Sequence, residues 1–415
     1  MISLRYLTAS LFMAGVLTAT PLQAQTAASA APAATTSAAP RAELVKMLQV
    51  AQELMKAGKP ADALTKLREA DAVTNRTARE DYLLERTRGA AALAAKDNAT
   101  ALAAFTKVLD GTELPAAERL GMMEAMAGLA YRAEDNKTTE RWARQYFAEG
   151  GKSEGVRTLL IHTLYARNEF PAMLKELNVA IAEDEAAGRA VNETKYQLLA
   201  QGSQKVGDTA TFQKALEKLV VINPKAEYWN ALIGNLQRQP GFAPRLGLDV
   251  LRLARQVGVL AEADEWMDLA QSAAQAGQPI EASAALEEGW RKGVLGQGAG
   301  AAAQTKLRAQ LSKAAAEDRS QLKAGTASAA KAKDGAQLAA LGQAMVSDGQ
   351  AEAGLALMAQ GIAKGIAKFP DDAQLRYGVA LLTSGQRDKA APVLQALKGT
   401  DGSAELARLW LLAVR

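Results

Sequence analysis

Residues 263–289 read ADEWMDLAQSAAQAGQPIEASAALEEG, and this stretch decides the fold. Trp266, Leu269 and Ala270 recur at helical spacing, so they share one face of a first helix. Gly277-Gln278-Pro279 interrupts the pattern. Glycine accepts the left-handed backbone that ends a helix, and proline opens the next without losing a needed donor. Ala282 and Leu286 then line a second helix. Small residues facing each other let two antiparallel helices cross closely, and neither helix can bury its apolar face alone.

Working outward, the unit recurs. Leu44, Met47, Leu48, Ala51 and Leu54 form a first-helix face, Gly58-Lys59-Pro60 a turn, and Ala63, Leu64, Leu67 and Ala70 a second face. From Tyr82 the same phase gives Gly89, Ala101, Phe105 and Val108, with Lys96 in place of the turn glycine. From Glu193 it gives Tyr196, Leu199, Ala200, Gly207, Leu216 and Pro224, with Phe212 displacing the expected alanine. Two further units begin at Gly335 and Asp371 and carry Gly342, Gly349 and Met358, then Gly378, Gly385, Ala390, Leu394 and Leu397. Weaker copies lie at about 120–153 and 154–192, marked by Tyr131 and Tyr165. Another starts near Ala226 with Trp229 and has a longer Gln239-Pro240-Gly241-Phe242-Ala243-Pro244 connection. The period is about 36 residues, the signature of stacked helix pairs.

In this phase the chain resembles the tetratricopeptide repeat family, and in particular the exported tetratricopeptide proteins of proteobacteria. The resemblance implies an all-α, right-handed solenoid of about nine to ten helix-turn-helix units. It also implies a concave groove lined by the first helices. Carried over by phase, Gln52, Gln201, Gln271 and Gln343 take the ninth place of four units. Gln197, Gln204 and Lys205 join Gln201; Asn230, Gln237 and Arg238 follow in the next unit; Met267 and Gln275 flank Gln271. The candidate peptide- or protein-binding set is therefore Gln197, Gln201, Gln204, Lys205, Asn230, Gln237, Arg238, Gln271 and Gln275. A ladder of amides can donate and accept along an extended backbone, and the two cations favour an acidic end. The plainer alternative is that glutamine is a soluble, helix-favouring residue beside a packed face. The family's carboxylate clamp is not reproduced.

Organisation follows from the same reading. Arg5, the apolar run Leu7–Leu17, Pro21 and Ala24 make residues 1–24 an expected secretory signal peptide, too short to span a bilayer. Residues 25–40, Ala, Ser, Thr and Pro after Gln25, are an expected disordered linker. Residues 41–300 form an N-terminal solenoid, 301–334 Ala-rich bridging helices, and 335–415 a C-terminal block ending in a capping helix over Ala404–Val414. A periplasmic, soluble product is expected. The Asn-x-Thr triplets at Asn75, Asn98, Asn136 and Asn192 are then turn chemistry rather than glycan acceptors.

Composition limits the chemistry. Cysteine is absent and histidine occurs once, which removes disulfides, thiol nucleophiles, Cys-ligated zinc and two-His metal sites. A net charge of +4 is too mild for nucleic-acid binding. No metal and no cofactor are expected. His162 has no poised partner nearby and reads as a satisfied structural residue. The glycines from Gly293 to Gly300 lack the Lys-Ser/Thr of a phosphate loop and read as a flexible connection. Glu134-Asp135, Glu183-Asp184-Glu185 and Glu287-Glu288 read as solvated helix surface, and the basic pairs Arg141/Arg144 and Lys331/Lys333 are too sparse for a nucleic-acid footprint. Trp229 and Trp266 are core by position, and Trp410 is the tryptophan expected at the surface.

The expected function is a non-enzymatic scaffold of the cell envelope that holds protein or peptide partners, with TonB-type energy-transduction components as one setting. Two alternatives follow from the same residues. One is a peptidoglycan-related enzyme on a helical ring, which would need a catalytic module in the one stretch without repeats, 301–334. The other is a structural spacer.

Overall fold

The computed structural model describes residues 39–414, and the leader and most of the linker lie outside them. The described residues hold α-helices and two short 3-10 turns, with no strand. They fall into two compact units, one ending at Val191 and the other starting at Asn192.

Unit 1 contains four antiparallel pairs. These are α1 (Ala42–Lys56) with α2 (Pro60–Glu69), α3 (Ala78–Ala94) with α4 (Asn98–Asp110), α5 (Ala116–Arg132) with α6 (Asn136–Ala148), and α7 (Glu154–Ala166) with α8 (Phe170–Ala186). Unit 2 continues with α9 (Glu193–Val206) and α10 (Thr209–Ile222), α11 (Ala226–Gln237) and α12 (Gly247–Gln256), and α13 (Ala263–Gln275) and α14 (Pro279–Arg291). After the long α15 (Ala301–Lys331) come α16 (Ala336–Ser347) with α17 (Ala351–Lys364), α18 (Pro370–Thr383) with α19 (Arg387–Gln395), and α20 (Ser403–Ala413).

One turn geometry joins eight of these pairs. Each first helix ends on a left-handed residue: Gly58, Lys96, Glu134, Asn168, Gly207, Gly277, Gly349 or Gly385. The next amide then reaches back five residues, as in Lys59 N to Leu54 O at 2.9 Å and Gln278 N to Ala273 O at 2.9 Å. That bond satisfies a carbonyl the helix end would otherwise leave unpaired. Glycine therefore marks only five of the eight turns, and three side chains tolerate the same backbone. The second helix of six of these pairs starts in one of two ways, while α17 and α19 follow Gln350 and Gln386 with neither. Asp97, Asp135 and Asp208 cap it through the amides of Thr100, Thr138 and Thr211, each at 3.0 Å. Alternatively proline sits in the first turn, as at Pro60 and Pro279. Two of the Asn-x-Thr triplets are thus parts of Asp caps, and Asn192 itself caps α9 through the amide of Lys195 at 2.9 Å.

Small residues set the crossings. A Cβ on Gly89 would meet the Phe105 ring at 2.6 Å, and one on Gly378 would meet Leu394 at 2.5 Å. Between α16 and α17 the backbones themselves touch: a Cβ on Gly342 would lie 2.5 Å from the carbonyl oxygen of Gly354. Around these crossings Trp142, Trp266 and Phe105 are fully buried. The segment 301–331 is a single helix whose Ala315, Leu322 and Ala329 join Ile280, Leu338, Met345 and Leu357 in one apolar cluster.

Unit 2 closes on itself. Helix α20 covers α18 and α19, and it also packs on α12 and α10. Arg245 pairs with Asp372 at 3.0 Å and with Asp401, Arg376 pairs with Asp249 at 2.9 Å, and Arg408 reaches Glu217 at 3.0 Å. The amide of Ala243 donates to the Asp401 carbonyl at 2.9 Å. Trp410, expected at the surface, is only 3% exposed because this return contact covers it. The glycine-rich connection after α14 is packed as well: Leu295 is buried against the bare backbone of Gly289.

Candidate functional site

The expected groove residues occupy the exposed faces of α9, α11 and α13. Gln201, Gln204, Lys205, Asn230, Gln237, Arg238, Gln271 and Gln275 are all exposed. Gln197 is half-buried and already engaged, donating to Tyr228 Oη at 2.6 Å and Glu193 Oε1 at 3.2 Å. Glu193 is the hub of this join. It accepts from Lys225 at 2.7 Å, Tyr228 at 2.5 Å and Asn223 at 3.2 Å. The Lys225 ammonium first, then the Tyr228 hydroxyl and the Asn223 amide, hold its carboxyl at about 2. Structurally the network ties the start of α9 to the start of α11. Gln197 is part of that network through its two hydrogen bonds. Among the described residues no hydrogen bond links Gln271 or Gln275 to α9 or α11.

The ninth-place residue of α16, Gln343, has a different setting. It lines a chamber of about 630 Å³ inside unit 2, walled by α12, α14, α16, α18 and Trp410 of α20. Asp249, Arg252 and Arg255 come from one face of α12, Glu281 and Glu288 from α14, and Arg376 from α18. Arg252 bridges Asp249 at 2.6 Å and Glu281 at 2.6 Å, Arg376 holds the other side of Asp249, and Arg255 takes Glu288 at 2.7 Å. Burial alone would raise Asp249, but the two guanidiniums outweigh it and its pKa is lowered. Burial likewise works against the charge of Arg252, yet Glu281 and Asp249 leave its pKa raised. Three cations face three anions, so the chamber works as a clasp between α12, α14 and α18. The Glu287-Glu288 pair is therefore split: Glu287 pairs outward with Arg308, while Glu288 faces the chamber. Residue spacing within α12 and α14 is consistent with these pairings, but only the fold shows which helices meet.

His162, read as a structural residue, stands exposed on α7. Among the described residues no three His, Asp or Glu side chains gather as a metal cluster. No described helix is long and apolar enough to cross a membrane.

No protein-family model matches the chain, and no curated protein matches its sequence. Among solved structures it is similar to a tetratricopeptide repeat protein from Parabacteroides merdae, at 10% identity over 65% of this chain and 98% of that one, with a TM-score of 0.29. It is also similar to the TPR domain of P58(IPK), at 14% identity over 89% of this chain and 98% of that one, TM-score 0.23. A third is the TPR2AB domain of yeast Sti1 from its pHSP90 complex, at 13% identity over 72% of this chain and the whole of that one, TM-score 0.24. Superpositions this loose add no weight of their own. The turns and crossings above stand on their own: the described residues form an all-α array of antiparallel helix pairs.

Proposed function

We propose that the protein is a non-enzymatic scaffold that binds protein or peptide segments along its first-helix faces, in the periplasm after loss of the leader at 1–24. The observation that carries the reading is register. Exposed polar side chains recur at matching places on α9, α11 and α13, where side chains that only filled a core would be buried. Amides in that arrangement suit the alternating donors and acceptors of an extended chain, and Lys205 and Arg238 suit its carboxylates. Export rests on Arg5, Leu7–Leu17 and Ala24, and TonB-type envelope components are partners consistent with that compartment.

The test is a photoreactive residue placed at Gln201 in intact cells, with Lys214 on α10 as the off-groove control. Protein adducts from position 201, reduced by Asn230→Ala and Gln271→Ala, are expected. Equal adducts from both positions would sink the groove. Recovery of the mature chain in the cytoplasmic fraction would sink the compartment.

A further inference from the structure

We propose that unit 1 carries its own docking strip, fitted to a partner segment that mixes aliphatic or aromatic side chains with carboxylates. This rests on the scaffold reading and gives that reading a chemistry for unit 1. The left-handed turn residue supplies an internal ruler for aligning the first helices. Three residues before it stand Met55 on α1, Leu93 on α3, Tyr131 on α5 and Tyr165 on α7. All four are apolar or aromatic, and all four reach solvent. Tyr131 is 36% exposed and Tyr165 is 41% exposed. The same place in α9 holds Gln204, so the ladder does not run into the first pair of unit 2.

Scattered apolar side chains on a surface need no explanation, but four in one register do. Met55 and Leu93 are half-buried beside their own cores, while Tyr131 and Tyr165 stand exposed at the other end of the row. The strip is also pre-shaped. The Tyr165 ring stands edge-on to Phe170 with centroids 6.0 Å apart, which limits the rotamer freedom a bound partner would have to remove.

Charge selects the partner. On the same helix faces lie Lys56, Arg86, Glu124 and Arg132. Arg86 is paired with Glu118 at 2.9 Å, and Glu124 accepts from Ser153 at 2.8 Å. Lys56 and Arg132 are exposed and form no ion pair among the described residues. The Arg132 guanidinium lies along α5 over Gly128, one turn earlier, where even a Cβ would stay at van der Waals range, 3.6 Å from Nη1. The strip is thus apolar with a positive surplus. Carboxylates complement it and ammonium groups do not.

The experiment measures fluorescence anisotropy of labelled synthetic peptides against the purified chain. One peptide alternates Leu and Phe with Asp, a second replaces Asp by Lys, and a third replaces Leu and Phe by Ser. The first should bind saturably, and the other two at least about tenfold more weakly. Tyr131→Ser with Tyr165→Ser should weaken the first by about tenfold or more. Arg132→Gln should weaken it about threefold and flatten its salt dependence. Should the tyrosine variant melt early, the Arg132→Gln and Lys-peptide arms still decide. No binding of the first peptide, equal binding of the Lys peptide, or binding indifferent to Tyr131 and Tyr165 overturns the proposal. Adducts at Gln201 together with any of those outcomes would leave the scaffold standing and remove this strip.

Discussion

Replacing Gly342 by alanine should destabilise unit 2, although the same exchange at Gly121 should stabilise unit 1. In a helix interior, alanine is favoured over glycine by about 1 kcal/mol. At Gly121, on the exposed side of α5, a Cβ meets nothing within 4 Å, so most of that gain should be realised. At Gly342 the new Cβ would stand 2.5 Å from the Gly354 carbonyl oxygen and 2.8 Å from the Met358 amide nitrogen. Both are backbone atoms and no rotamer change relieves them, so α16 and α17 must move apart. Overpacking costs about 1–3 kcal/mol, and a backbone obstacle places this case at the upper end. After subtracting the propensity gain, a net loss of about 2 kcal/mol remains, or about 4–8 °C in Tm for a unit of this size. Denaturant unfolding followed by tryptophan emission in a Trp142→Phe background reports on unit 2, which holds the other four, Trp229, Trp266, Trp290 and Trp410. Circular dichroism covers unit 1. A Gly342→Ala protein as stable as the parent would refute the close crossing, and with it the argument from small residues.

Three other outcomes follow. Lys96→Gly should stabilise unit 1 by about 0.5–1 kcal/mol, because a side chain in the left-handed region costs about 1–2 kcal/mol and glycine's extra chain entropy returns part of that; an unchanged melting curve would count against the turn geometry. Asp249→Ala leaves Arg252 and Arg376 facing each other and should cost about 3–5 kcal/mol, partly restored by adding Arg376→Gln, with absence of any restoration contradicting the clasp. Glu80 under Arg41, Glu193 under Lys225, and Asp401, whose Ser403 and Arg245 contacts outweigh its burial, all sit at about 2 when folded. Depressed carboxyls contribute stability above their ordinary pKa of about 4 and lose it as pH falls towards 2. Melting should therefore be level from pH 7 to about 5 and drop by pH 3, and a level curve throughout would refute those pairings.

The helix pairs were readable because their signal is local. Trp266, Leu269, Ala270 and Gly277 declare a face and a stop within about three helical turns, and the same phase reappears wherever the chain must make another pair. Lys96, Glu134 and Asn168 were harder, since the turn is held by its own backbone bonds and tolerates side chains that carry no label. Gly354 and Gly361 escaped notice for a related reason: their role shows only against Gly342 and Gly335 across the crossing. Of the nine residues expected to line a groove, eight are exposed and Gln197 is half-buried and hydrogen-bonded to Tyr228, a residue of the next pair. Trp410 and Glu288 were misjudged because their neighbours come from far along the chain.

Sequence alone thus determined that most of the described chain folds as antiparallel helix pairs and where the glycine-marked turns fall, since spacing and turn residues act over a few bonds. Tertiary structure alone decided that α20 returns to α12, that Asp249 lies between Arg252 and Arg376, and that the exposed faces differ between the units. Those outcomes depend on how small rotations at each crossing accumulate, and no single repeat encodes that sum.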